Sequence, residues 1–176
     1  MSGARAITVL LEDRLITLNR VVGLIRRRNF PVRSLSVGPT DAPGVSRLTI
    51  MMQSDEAGAE RAVQHLQKVI GVREAAAIPQ GEAVTRELAL IRLRFAADRY
   101  AELLDVVQLY RGAVVEESAE AVVVELTGSE AFVLSGLRAL ERFEIIEVAR
   151  SGAVAMESGA AELRFGTHPQ VEAGAR

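Results

Sequence analysis

No cysteine and no tryptophan occur in this chain of 176 residues, and aromatic side chains make up only 4% of it. The missing thiols exclude disulfides, cysteine nucleophiles, iron–sulfur clusters and thiolate zinc sites together. Two histidines, His65 and His168, do not by themselves build a closed metal site. So few aromatics leave no stacking platform for single-stranded bases. Neither charge is in excess: 21 Lys+Arg face 23 Asp+Glu, a net charge of -2. That balance argues against neutralising nucleic-acid phosphates or lying on an anionic membrane, so no nucleic-acid and no membrane partner is expected. Lysine itself is nearly missing, Lys68 standing alone among the 21 basic residues. The apolar stretch from Ala6 to Leu11 is too short for a signal-peptide core, and no later run reaches membrane-spanning length. The expected location is cytoplasmic. The nucleophile elbow Gly-x-Ser-x-Gly, the dinucleotide fingerprint Gly-x-Gly-x-x-Gly and the phosphate-binding Gly-Lys-Ser/Thr loop are all missing.

What is present is one pattern written twice, divided at Pro79-Gln80-Gly81. In the first half Ile7, Val9 and Leu11 alternate as in a strand, and Leu18, Val21, Val22 and Ile25 form a helical stripe. Asn29 suits the left-handed position after that helix, and Pro31 forbids its continuation. A strand over 32–37 and a second carrying Leu48, Ile50 and Met52 follow. Ser54 or Asp55 then caps a helix striped by Ala62, Val63, Leu66 and Ile70, and a strand over 72–78 closes the half. The second half repeats the order. A strand over 88–95 precedes a helix capped by Asp98, with Leu103, Val106, Val107 and Tyr110 on one side and Gly112 at its end. A hairpin over 113–117 and 121–126 leads to a helix capped by Ser129 with Phe132, Val133, Leu137 and Leu140, then a strand over 143–149. Each half therefore predicts β-α-β-β-α-β, and the fold class is α+β: two ferredoxin-like domains, each a two-layer sandwich of two helices on one antiparallel sheet. Domain boundaries fall at 4–79 and 84–152, with 153–176 a flexible tail. Helices on one side leave the other sheet face bare, so that face or a sheet edge must meet a second copy or the other half.

Few residues carry chemistry. Glu116, Glu117 and Glu120 flank a turn, where solvated charge is the ordinary role. Arg26, Arg27 and Arg28 fall in the last turn of the first helix and complement its dipole. The segment Glu12-Asp13-Arg14-Leu15-Ile16-Thr17 enters the first helix, whose first N–H groups make a receptor for a carboxylate. The same segment also reads as a simple connection.

The order of motifs resembles the regulatory small subunit of acetolactate synthase (acetohydroxyacid synthase), whose N-terminal half is an ACT domain. Val9-Leu10-Leu11-Glu12, Leu18-Asn19-Arg20-Val21-Val22-Gly23-Leu24, Ser34-Leu35-Ser36-Val37-Gly38-Pro39-Thr40-Asp41, Ser46-Arg47-Leu48-Thr49-Ile50 and Glu147-Val148-Ala149-Arg150-Ser151-Gly152 carry the likeness, collinear over residues 5–152. The resemblance implies a subunit without a catalytic site. It implies a homodimer or higher homo-oligomer formed through the ACT domains, bound to an acetolactate synthase catalytic subunit that holds thiamine diphosphate, magnesium and FAD. It further implies activation of that partner, and feedback by valine or another branched-chain amino acid. The implied effector site comprises Asp13, Ile16, Thr17, Leu18, Pro31 and Val32. There the chain departs from the family's Asn-x-x-Gly, having Asp13 and Ile16, and from a second Asn, having Pro31. A carboxylate repels the ligand's own carboxylate, a β-branched side chain hinders close backbone approach, and proline offers neither amide. Valine binding is thus expected to be weak or lost. A free-standing amino-acid sensor is the alternative; an enzyme on the same scaffold needs ionisable groups that the sequence does not assemble.

Overall fold

The computed structural model describes residues 3–159. The first half runs β1 (Gly3–Glu12), α1 (Leu15–Arg28), β2 (Val32–Pro39), β3 (Val45–Ser54), α2 (Glu56–Leu66) and β4 (Val72–Ala77). The second runs β5 (Ala83–Arg94), α3 (Tyr100–Leu109), β6 (Ala113–Glu117), β7 (Ala121–Gly128), α4 (Glu130–Leu140), β8 (Ile145–Arg150) and β9 (Val154–Glu157). Strands lie in the orders β2-β3-β1-β4 and β6-β7-β5-β8, and β9 pairs with β5. All pairings are antiparallel. This is the α+β arrangement of two ferredoxin-like sandwiches.

Alternation on the central strands builds each core. Ile7, Val9 and Leu11 on β1 register against Ile50, Leu48 and Ser46 on β3, and α1 and α2 close over the apolar side. Ala89, Ile91 and Leu93 on β5 do the same beneath α3 and α4. Leu48 and Ile91 are wholly buried, and burying such a side chain contributes roughly 2 kcal/mol relative to leaving it in water. The capping reading resolves in favour of Asp55, whose Oδ1 accepts from Gly58 N at 2.8 Å. Ser129 Oγ likewise accepts from Phe132 N at 3.3 Å.

Several details differ from the periodicity. On α1 the buried residues are Thr17, Val21 and Leu24, while Val22 is 41% exposed; the helix is rolled so that Leu18 and Ile25 flank the contact instead of centring it. Ile70 lies beyond α2 and is exposed. Asp98 sits in a short 3-10 turn (Ala97–Arg99) ahead of α3 and does not cap it. The left-handed residue ending α3 is Arg111 (φ 51°), not Gly112. Gly112 is needed for room: a Cβ there would stand 2.6 Å from the Glu125 carbonyl oxygen.

The largest correction concerns 153–176, read from sequence as a flexible tail. Its first residues form β9, which extends the second sheet by pairing with Ala83–Arg86 of a longer β5. Its small Ala155 packs with Ala6 and Ile78 on the face of the first sheet that α1 and α2 leave bare. Arg47 donates to the Ala155 carbonyl at 2.9 Å, and burial lowers the Arg47 pKa. Thr8 and Thr49, paired on that face, are 0% and 2% exposed. The other half of the same chain therefore covers this face. Residues 160–176, with His168, lie outside the described residues. Among the described residues no helix is long and apolar enough to cross a membrane.

Candidate functional site

The entrance to α1 is pinned from both sides. Glu12 N donates to Gly71 O at 2.8 Å and Asp13 N to Gly44 O at 3.0 Å. These acceptors belong to the loops before β4 and β3, so three connections meet at one end of the first sheet. Ser46 Oγ donates to Asp13 Oδ1 at 2.9 Å, which fixes the carboxylate beside the helix entrance. Arg14 is the N-cap, in extended conformation (φ -137°), and no side chain caps the helix. The first turn carries no acidic residue, so nothing in that turn offsets the partial positive charge of its N–H groups.

Around this entrance the side chains divide sharply. Leu15 and Ile16 are 75% and 53% exposed, an unusual position for two large apolar groups in one turn. Thr17 beside them is wholly buried, and its Oγ1 has no hydrogen-bond partner among the described residues. A buried hydroxyl left unpaired costs roughly 1–3 kcal/mol, which a ligand or a second chain can recover. Thr17 faces Gly71 (φ +94°), where a Cβ would lie 2.6 Å from Oγ1. Leu18 is half-buried against the core.

Asp13, Ile16, Thr17 and Leu18 are thus brought together, whereas Pro31 and Val32 are not. Those two follow Asn29, the left-handed C-cap of α1 (φ 51°, ψ 43°). A helix of 14 residues places them ~21 Å from the entrance. Pro31 accepts from Gln53 N at 2.9 Å and is exposed. It lines a cavity of about 520 Å³ with Arg28, Phe30, Asp55 and Arg61. Within one chain the six residues form two separate groups.

Sequence reasoning missed the partners that shape the entrance. Gly71 had a signal, a lone glycine between the apolar Ile70 and Val72, but its contact with Thr17 is purely tertiary. Ser46 had none. Among the described residues no group of three or more His, Cys, Asp and Glu is placed to hold a metal. Of the three acids near the β6–β7 turn, Glu117 accepts from Tyr100 Oη at 2.5 Å, a bond that raises the tyrosine pKa. Arg26, Arg27 and Arg28 do occupy the last turn of α1.

Comparison with known proteins covers both halves. A family described as "AHAS small subunit-like ACT domain" matches residues 7–74, and one described as "Small subunit of acetolactate synthase" matches residues 86–159, β9 included. The acetolactate synthase small subunit of Mycolicibacterium smegmatis is 36% identical over 153 residues, covering 87% of this chain and 90% of that protein. The probable acetolactate synthase small subunit of Archaeoglobus fulgidus is 35% identical over 153 residues, covering 87% of this chain and 96% of that one. The crystal structure of the acetolactate synthase small subunit from Thermotoga maritima superposes with a TM-score of 0.84 at 30% identity, covering 90% of this chain and 99% of that one.

Proposed function

The chain belongs to the family of acetolactate synthase small subunits, and from that premise we propose that it is the non-catalytic regulatory subunit of an acetolactate synthase. It binds and activates a catalytic subunit, which carries the thiamine diphosphate, magnesium and FAD and condenses pyruvate with pyruvate or 2-oxobutyrate. The observation that carries this reading is that the likeness runs through both halves and into β9, not through an amino-acid-binding domain alone. Adding the purified chain to its isolated cognate catalytic subunit should raise the rate of acetolactate formation; an unchanged rate would remove the reading.

For the effector, the uncapped start of α1 and the orphan Thr17 hydroxyl supply one half of a pocket. Pro31 and Val32 of a second copy supply the other, because one chain holds the two groups apart. The edge strand β2, with Leu35 and Val37 exposed on it, is the surface through which two copies pair. Asp13 presents its carboxylate where an amino acid's carboxylate would approach the helix, and Ile16 stands at the mouth. We therefore propose activation with little response to valine. Calorimetry should find weak or no valine binding to this chain. The variant Asp13→Asn/Ile16→Gly/Pro31→Asn should bind at least tenfold more tightly, a gain of about 1.4 kcal/mol.

A further inference from the structure

The two halves of the chain meet through two unlike contacts. The first is apolar and small: Ala155 of β9 lies on Ala6 and Ile78, with Met51 and Ala83 partly buried beside them. Next to it the chain crosses from one half to the other by a turn, Glu82 N donating to Pro79 O at 3.2 Å around a left-handed Gly81 (φ +86°). The second contact is polar and lies on the edge strand β2. Arg33 pairs with Glu130 at the start of α4, and Ser36 Oγ donates to Ser151 O at 2.9 Å. Ser151 is itself fixed to β5, its N–H donating to Leu88 O and its Oγ accepting from Leu88 N, both at 3.0 Å, so it moves with the second half. Between the two contacts the halves stand apart around a cavity of about 590 Å³, with Ala4 and Ser34 on one side and Thr85, Glu87 and Ala153 on the other. Close-packed interiors hold few voids larger than a water molecule, and small polar interfaces between domains permit relative motion.

The sequence of β2 suits this contact. Its register against β3 slips at Arg33, Val32 standing opposite Met52 and Ser34 opposite Met51. A bulge inserts one residue and re-aims its side chain, and here the inserted residue is the one that reaches α4. Across from it Gly152 is left-handed (φ +74°), and a Cβ there would stand 3.0 Å from Ser36 Oγ and 3.3 Å from Ser34 Cβ. Glycine is what lets the β8–β9 link lie this close to β2.

We infer that the Arg33–Glu130 pair and the Ser36–Ser151 hydrogen bond form a strap that holds the second half closed on β2, and that the chain opens about the Ala6–Ile78–Ala155 contact when the strap releases. The Arg33 and Glu130 side chains are 49% and 34% exposed, so water competes for both. A pair of this kind shifts a two-state equilibrium by no more than about fivefold, which makes the strap a bias and not a lock. The better-buried pair of Arg150 with Glu87 joins β8 to β5 inside the second half and is untouched by opening. Because β2 also carries the edge proposed for pairing of copies, the strap ties the second half to that strand. The inference concerns the single chain and needs neither a catalytic partner nor an effector, so its failure is distinct from failure of the regulatory reading.

The chain has no cysteine, so Glu60→Cys on α2 and Gln108→Cys on α3 put one spin label on each half, both at exposed positions. Pulsed dipolar spectroscopy of the labelled full chain, diluted into unlabelled chain, reads the distance within one copy. The parent should show a major and a minor distance, and Arg33→Gln should raise the minor-to-major ratio about three- to fivefold. Glu130→Gln should do the same, and the double variant no more than either alone. Salt at about 1 M should shift the parent and leave Arg33→Gln unmoved. Arg92→Gln breaks a similarly exposed pair inside the second half, Arg92–Glu147 at 3.0 Å, and should leave the ratio unchanged. The strap is overturned by one distance common to the parent and Arg33→Gln, by additive effects of Arg33→Gln and Glu130→Gln, by a salt response that survives Arg33→Gln, or by an equal response to Arg92→Gln.

Discussion

Arg33 on β2 donates from Nη2 to Glu130 Oε1 at the first turn of α4, at 2.7 Å, and joins the two halves of the chain across 97 residues of sequence. Glu130 lies 3.9 Å from Arg150, and Arg150 in turn binds Glu87 through both Nε, at 3.1 Å, and Nη2. The four side chains share the wall of a cavity of about 590 Å³ between the halves. Arg33 directly follows Val32, so the network begins one residue from the proposed effector position on β2.

Burial ranks the members of this network. The Arg33 and Glu130 side chains are 49% and 34% exposed, so Arg33→Ala should lower stability by less than ~1 kcal/mol in urea unfolding. The Glu87 side chain is 4% exposed, and Arg150→Met strands its carboxylate, at a cost of about 3 kcal/mol. Equal effects of the two substitutions would show that the ion pairs are not ordered by solvent access.

At the entrance to α1, Gly71 and Thr17 should behave as a coupled pair. Gly71→Ala meets two obstacles, the φ of +94° and the Thr17 side chain at 2.6 Å. Together these should destabilise by about 2–3 kcal/mol. Thr17→Ala removes only the second obstacle. A double-mutant cycle should then show a coupling of at least ~1 kcal/mol; additive effects would mean that the loop shifts freely.

His65 titrates below its ordinary value of 6.5, held down by burial beside Phe30 and then by the charges of Arg28 and Lys68. The folded state therefore disfavours the protonated ring. The stability that neutral His65 supports is complete above pH 6.5 and is lost as pH falls through its lower folded midpoint. An NMR titration of the ring protons should place the midpoint under 6.5, and Arg28→Gln should raise it. A midpoint unmoved by that substitution would remove Arg28 from the causes and leave burial and Lys68.

The order of elements was legible because it rests on local chemistry. Alternating Ile7, Val9 and Leu11 can bury one face only as a strand, Asp55 and Ser129 supply caps to their own helices, and Asn29 accepts the left-handed turn that Pro31 then protects. These are interactions over a few residues, and their spacing is written in the chain. The departures arise where contacts are distant. The roll of α1 onto Thr17, Val21 and Leu24, the stop at Arg111 and the room required at Gly112 each depend on what the neighbouring layer presents.

The candidate site divides along the same line. Asp13, Ile16, Thr17 and Leu18 are adjacent in sequence, so a single loop had to gather them, but the buried, unpaired Thr17 hydroxyl and its close approach to Gly71 are visible only in the tertiary structure. The sequence by itself determined two copies of one half-covered sandwich, since periods of two and of three to four residues specify strands and helices wherever they occur. Tertiary structure alone decided what covers the bare sheet face. Val154–Glu157 has too little local preference to declare itself a strand. It becomes one because β5 offers it an edge at Ala83–Arg86, Arg47 donates to its Ala155 carbonyl, and the Ala155 side chain packs against Ala6 and Ile78.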